Sequence, residues 1–155
     1  MSTPESLLKK LQFKGQDPVL LLNAPDAFQS VVEVWQSMTR LHLTPVPDQK
    51  YPYILAFAEM VADLNGIANQ IKDRFEGDVQ LWIAYPKKSS KTYRSDLNRD
   101  SDAWQVLGDL GFEGVRQVAI DADWSALRFR DARFIKQLKR AASWIRSEAG
   151  KKKKS

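Results

Sequence analysis

Three apolar runs, each stopped by turn-forming residues and followed by apolar residues at helical spacing, constrain this chain more than any other feature. Residues 19–22 read VLLL and end at Asn23, Pro25 and Asp26. A run with no polar alternation is the pattern of a strand buried on both faces. Phe28, Val31, Val32, Trp35 and Met38 then fall on one face of a helix, with Asp26 placed to cap its first turn. Residues 51–58 form a second such strand. Met60, Val61, Leu64, Ile67, Ala68 and Ile71 continue it as a helix that Phe75, Glu76 and Gly77 are expected to end. Residues 79–85 are a third buried strand stopped by Pro86, and residues 104–110 are a third helix between the polar cluster Asp100, Ser101, Asp102 and Gly111. Residues 41–46, punctuated by Pro45 and Pro47, fit only a short edge strand or an extended connection.

Alternating strands and helices require a mostly parallel sheet with helices on both faces. The end of the chain adds two closely spaced strands, residues 115–120 and 126–129, whose five-residue separation permits an antiparallel hairpin. A last helix follows, with Phe134, Ile135, Leu138, Ala141, Ala142 and Ile145 on one face and Lys136, Lys139, Arg140 and Arg146 on the other. The fold class is therefore α/β: a three-layer Rossmann-like sandwich, a mostly parallel sheet with a C-terminal antiparallel hairpin and a C-terminal helix. At 155 residues the chain is one domain. Residues 1–149 are assigned to it, and residues 150–155, Gly150 followed by KKKKS, to a disordered basic tail.

Composition removes several chemistries. Cysteine is absent and His42 is the single histidine, so disulfides, cysteine-ligated metals, cysteine nucleophiles and serine–histidine catalysis are excluded or poorly supported. No metal and no cofactor is called for, and no catalytic residue is assigned. His42 reads as a half-buried imidazole rather than a ligand. No apolar stretch is long enough to span a membrane, and Glu5, Lys9 and Lys10 stand where a signal peptide needs an apolar core, so the expectation is a soluble cytoplasmic protein. The net charge of +5 is unevenly placed: residues 128–154 carry +9, which leaves −4 on residues 1–127. The basicity belongs to the end of the chain, and four lysines without interleaved aromatics give nucleic acid only a weak, salt-sensitive attraction.

In open α/β sheets ligands bind beyond the carboxyl ends of the strands, which singles out four segments. The first, Asn23, Ala24, Pro25, Asp26, lacks the glycines with which dinucleotide and S-adenosylmethionine (SAM) sites let backbone approach the ligand, and Pro25 also removes a donor. The second is Glu59 and Met60. The third opens the stretch YPKKSSKTYRSDLNRD, in which Lys87, Lys88 and Lys91 suit a phosphate or carboxylate while Asp96, Asn98 and Arg99 order the loop. Its plainer reading is a polar connector with its charges in water. The fourth, Asp121, Ala122, Asp123, Trp124, Ser125, presents Trp124 either as a stacking wall for a ligand or as packing at the sheet edge, with Arg128 pairing a carboxylate.

Taken in order, LLLNAPDAF, LWIAYPKKSSK, SDLNRD and VRQVAIDADWSALRFR resemble a family of small bacterial proteins of unassigned function. That family shows a strand ending in Asn-Ala-Pro, a strand ending in Pro-Lys-Lys and a terminal Asp-x-x-Trp-Ser-x-x-[Arg/Lys]-Phe hairpin. The resemblance spans residues 13–130 and implies a Rossmann-like fold. The element order likewise looks like a shortened class I methyltransferase sheet with an early strand-helix unit lost. On matching positions the resemblance draws attention to Asn23, Pro25, Lys87, Lys88, Asp121, Trp124, Ser125 and Arg128.

The functional reading is a non-catalytic binding or interaction module with an anion-recognising cleft at the carboxyl edge of the sheet. Its expected partner is an anionic small molecule or an acidic protein segment. Asn23, Asp26, Lys87, Lys88, Asp121, Trp124, Ser125 and Arg128 are the candidate ligand-binding residues. The alternative is a diverged SAM-dependent methyltransferase-like enzyme with a rebuilt first loop.

Overall fold

In the computed structural model, which describes residues 3–135, six strands form one sheet. In chain order the elements are α1 (Pro4–Lys10), β1 (Val19–Leu22), α2 (Gln29–Gln36), β2 (Leu41–His42), β3 (Tyr51–Phe57), α3 (Val61–Ile71), β4 (Phe75–Pro86), α4 (Gln105–Gly108), β5 (Phe112–Ala119) and β6 (Trp124–Asp131). The spatial order is β2-β1-β3-β4-β6-β5. β1 to β4 are parallel, and β6 runs antiparallel between β4 and β5, so β5 points the same way as β4. The mixed, mostly parallel α/β sheet is therefore present.

Two hydrophobic layers flank it. Leu20, Leu22, Ile54, Ala56, Leu81 and Ile83 pack with Leu64, Ile67 and Ile71 of α3 and with Trp104 and Leu107 around α4. On the other face Val19, Leu21, Tyr53, Leu55, Trp82 and Ala84 pack with Leu7 and Leu8 of α1 and with Val31, Val32 and Trp35 of α2. Successive strand residues thus serve opposite layers, and each buried aliphatic side chain stabilises the fold by about 1.5–3 kcal/mol relative to exposure. Trp35 meets Tyr53 edge to face at 5.4 Å and Phe13 at 5.5 Å, and the Tyr53 hydroxyl donates to the Leu11 carbonyl at 2.6 Å. Burial raises the Tyr53 phenol pKa well above its ordinary value, so it remains a donor.

Several boundaries differ from the sequence reading, each for a local reason. α1 had not been foreseen; Thr3 caps it by accepting from the Ser6 amide, and Leu7 and Leu8 bury its inner face. Asp26 does not cap α2: it begins a 3-10 turn, Asp26–Phe28, behind Pro25, and its side chain bonds no helix amide. Phe75, Glu76 and Gly77 open β4 instead of closing α3. Asp73 turns the chain at φ +66, and Phe75 then pairs with Tyr51 and meets Phe112 edge to face at 4.7 Å. Ser101, not Asp100 or Asp102, caps the turn before α4, which is only four residues long. The expected edge strand contracts to β2. Trp124 and Ser125 lie within β6 and not in the hairpin turn. Phe134 ends a 3-10 turn, Ala132–Phe134, and the rest of the expected C-terminal helix, with the 150–155 tail, lies outside the described residues.

Because Trp35 joins α2 to the sheet and to the segment after α1, Trp35→Ala should lower unfolding free energy by about 3–5 kcal/mol, the range for deleting a large aromatic from a core. Urea denaturation followed by far-UV circular dichroism measures this, with an unchanged m-value if only packing is lost.

Candidate functional site

The carboxyl edge collects the loops after β1, β3, β4 and β5, because all four strands point the same way. After β1 the chain turns through Asn23 at φ +60, a left-handed conformation that asparagine tolerates better than most non-glycine residues. The Asn23 side chain faces Phe57 at the end of β3, its amide nitrogen 3.4 Å from the Phe57 carbonyl oxygen. Asn23 and Asp26 are exposed. β1 and β3 send their following helices to opposite faces of the sheet, which makes the gap between them the switch point of the topology.

Residues 87–101 form a strap across the β3 and β4 ends, held by specific bonds. The Lys87 amide donates to the Asp123 carbonyl at 2.8 Å, and the Ser90 hydroxyl donates to the Asp123 carboxylate at 2.8 Å. Further along, the Ser95 hydroxyl donates to the Glu59 carbonyl, and Asp96 accepts from the Val61 amide at 2.7 Å, capping α3 from outside its own segment. Asp63 takes the Met60 and Glu59 amides at 2.9 and 3.2 Å, so the donors at that helix start are satisfied within the chain. Leu97 is buried, and the Trp104 indole donates to the Asn98 carbonyl at 2.8 Å, closing the strap.

Beneath the strap lies a cleft of about 370 Å³ lined by Pro86, Lys87, Lys88, Ser90, Tyr93, Arg94, Ser95 and Leu97. Both serine hydroxyls are already committed, Ser90 also accepting the Thr92 and Tyr93 amides and Ser95 accepting that of Leu97. The Lys87, Lys88 and Arg94 side chains make no ion pair among the described residues, and no carboxylate lines the cleft. Its unspent side-chain donors are therefore these three cations and the Tyr93 hydroxyl. Beside it Tyr85 accepts from Gln117 at 2.9 Å, and burial lifts its phenol pKa above the ordinary value, which keeps it protonated at neutral pH.

The eight candidate residues do not form one cluster. Lys87 and Lys88 line the cleft. The tryptophan hairpin does stand next to them, since Pro86 pairs with Trp124. Yet Trp124 is 4% exposed, meets Phe57 at 5.1 Å and Tyr93 at 4.9 Å, and does not line the cleft. Tyr93 is the aromatic that does. Asp121 accepts the Asp123 and Trp124 amides at 2.8 Å each, a turn bond, and Ser125 is buried between Tyr85 and Ala119. Arg128 sits in mid-strand opposite Trp82, where Gln12 and not a carboxylate accepts from it. Ser90, Tyr93, Arg94 and Ser95 had not been singled out; their alternation of hydroxyl, aromatic and cation within PKKSSKTYRS was the available signal. Among the described residues no group of histidine, aspartate and glutamate side chains could hold a metal ion.

No family model matches the chain, and no curated protein sequence matches it. Solved structures do. A SAM-dependent methyltransferase from Aquifex aeolicus aligns with 83% of this chain and 89% of its own, at 12% identity and a TM-score of 0.54. The N-methyltransferase NodS from Bradyrhizobium japonicum WM9 aligns with 83% of this chain and 93% of its own, at 10% identity and a TM-score of 0.50. The pyocyanin biosynthetic protein PhzM gives 0.53 at 11% identity, with 54% of its chain covered. The fold is methyltransferase-like. At these identities the likeness is one of fold, and in this methyltransferase-like sheet the loop after β1 contains no glycine between Asn23 and Phe28.

The Ser90–Asp123 bond ties the strap to the hairpin, so its loss should free the strap without unfolding the sheet. Asp123→Ala should cost about 1 kcal/mol, the net worth of one side-chain hydrogen bond, and speed tryptic cleavage after Lys88, Lys91 and Arg94 several-fold. Timed proteolysis with mass spectrometry reads this, alongside a melting curve shifted by only a few degrees.

Proposed function

We propose that this chain is a small-molecule-binding protein on a methyltransferase-like fold, and that the 86–97 cleft takes the anionic part of its ligand. One observation carries the reading: Lys87, Lys88 and Arg94 converge on a cleft with no lining carboxylate, whose two serine hydroxyls are consumed in holding the strap. Three unpaired cations around one cleft raise the local concentration of an anion, and arginine adds a planar fork suited to carboxylate or phosphate. The position at the carboxyl ends of parallel strands supports the same reading. The Ser90 hydroxyl, bonded to the Asp123 carboxylate, also takes the Thr92 and Tyr93 amides and serves as a strut of the strap, so the role proposed for the cleft is recognition.

A second reading, a diverged SAM-dependent enzyme, is the one the structural neighbours support. Asn23 favours it further, because its φ of +60 supplies the left-handed turn for which a glycine would otherwise be needed. Against it, Pro25 has no N–H and the stretch after β1 has side chains where a closely approaching ligand would need none. The two readings share a ligand class: SAM carries a carboxylate for the cleft cations and an ammonium that Asp26 or Glu59, both exposed at the switch point, would suit.

Calorimetric titration with SAM and with its demethylated product separates them, run beside a thermal-shift panel of nucleotides, sugar phosphates and carboxylates. The enzyme reading expects saturable heat from SAM; no heat from either compound at millimolar concentration removes it. The recognition reading expects at least one panel anion to raise the melting temperature, with Lys87→Ala weakening its binding about tenfold, the loss of one charge-assisted contact. An anion whose affinity is unchanged in Lys87→Ala and Lys88→Ala lies elsewhere and overturns the cleft assignment.

A further inference from the structure

The 86–97 cleft has an apolar wall as well as its three cations. Of the apolar residues that line it, Pro86 and Leu97 are buried and Tyr93 is half-buried, so Tyr93 is the wall that a ligand entering the cleft meets. Packing claims this ring from one side. It meets Trp124 at 4.9 Å with the planes at 58°, against the core layer to which Trp124 belongs. Among the described residues no second ring contacts it and no cation lies over it, the cation over a ring being Arg133 on Phe134. Its other side therefore belongs to the cleft, together with a hydroxyl that is unspent.

The ring is also held in place before any ligand arrives. The Tyr93 amide donates to the Ser90 hydroxyl at 3.0 Å, and that hydroxyl is tied to the Asp123 carboxylate at 2.8 Å. Behind Tyr93, Trp124 meets Phe57 at 5.1 Å and Phe57 meets Phe28 at 5.0 Å, both edge to face. Phe28, Phe57 and Trp124 are all buried. Four rings thus run from the turn after β1 to the strap, and Tyr93 is the end of the row that reaches the cleft. An aromatic fixed in this way has little rotamer freedom left to lose when something stacks on it. The partner that gains most is another aromatic ring, whose quadrupole matches that of the tyrosine in an offset or edge-on arrangement; a saturated ring of the same size lacks that match. Space agrees with this, since a cavity of about 150 Å³ accepts benzene. The cleft, at about 370 Å³, has room for one planar ring together with its charged group.

We infer that the ligand of this cleft is an aromatic anion, a planar ring bearing a carboxylate or a phosphate, with Tyr93 as the wall its ring stacks on and Lys87, Lys88 and Arg94 as the contacts of its charged group. The inference rests on the cleft reading given under the proposed function and adds the ring to it. Trp124, the residue whose type suggested a stacking wall, backs that wall from the core side, and Tyr93 presents it.

The test is calorimetric titration of the full chain at fixed ionic strength with two matched pairs of probes, phenyl phosphate against cyclohexyl phosphate and benzoate against cyclohexanecarboxylate. Each pair keeps carbon count and charge and changes the aromaticity of the ring, and comparison between the pairs tells a phosphate source from a carboxylate source. The expected result is that in at least one pair the aromatic member binds about fivefold more tightly, which corresponds to about 1 kcal/mol, the middle of the range for a ring pair beyond its burial. Tyr93→Leu leaves an apolar side chain over Trp124 and should erase the preference; Tyr93→Phe should keep it, and Lys87→Ala should weaken both members alike. The comparison within each pair needs no variant. Equal binding within both pairs overturns the inference, and where that binding falls in Lys87→Ala the cleft reading stands without it. An aromatic preference that survives Tyr93→Leu puts the ring elsewhere and overturns the inference as well. No saturable binding of any of the four probes also overturns it, while the cleft reading is still decided by the nucleotides and sugar phosphates of the wider panel.

Discussion

Strands β1, β3 and β4 are apolar on both faces, and nearly everything else in the molecule answers that constraint. Leu20 and Leu22 need cover from one side and Val19 and Leu21 from the other, and the same division runs through Ile54 and Leu55 and through Leu81 and Trp82. A single helical layer leaves half of these side chains in water, at about 1.5–3 kcal/mol each. So α3 and α4 take one face and α1 and α2 the other, and the short crossovers between parallel strands bring every connecting loop of interest to one edge. The candidate site is there because the core is two-sided.

The polar groups that depart from this apolar plan divide into two kinds. Asp96, Asp121, Asp123, Ser90 and Ser95 are spent on backbone amides, carbonyls and one another, and their function is to fix the strap and hairpin over the strand ends. Lys87, Lys88, Arg94, Arg116 and Arg128 are left without counter-charges among the described residues.

The layers were legible in the sequence because burial on both faces leaves unbroken apolar runs, and the alternation of strands and helices then permits few topologies. The mistakes fell where spacing is ambiguous or where register decides. Phe75 follows Ile71 at four residues and so continues a helical stripe; only the left-handed Asp73 breaks it, and one aspartate in a polar turn does not announce that. α1 offers two buried leucines over seven residues, too little period to detect. The aspartates around Trp124 suggest a turn, whereas its pairing with Pro86 extends the strand through it. Tyr93 and Arg94 depend on the path of an irregular strap, and the facing of Arg116 and Arg128 depends on a bulge between Gly114 and Arg116; neither is encoded in periodicity.

The placement of charge also limits what kind of anion this body can hold. Residues 1–127 carry −4 in all, so the cations of the cleft stand against an acidic background. Their attraction reaches only about one Debye length, roughly 8 Å at physiological salt, before the surrounding carboxylates and salt cancel it. A polyanion gains affinity by meeting many phosphates along a continuous basic surface. A long strand of nucleic acid would find three cations at the cleft, on a body whose residues 1–127 sum to −4. A ligand with one or two anionic groups, no longer than the cleft, meets the lysines and the arginine and little else. In the proposed cleft the local sign, more than the total of +5, therefore favours a small anion over a polyanion.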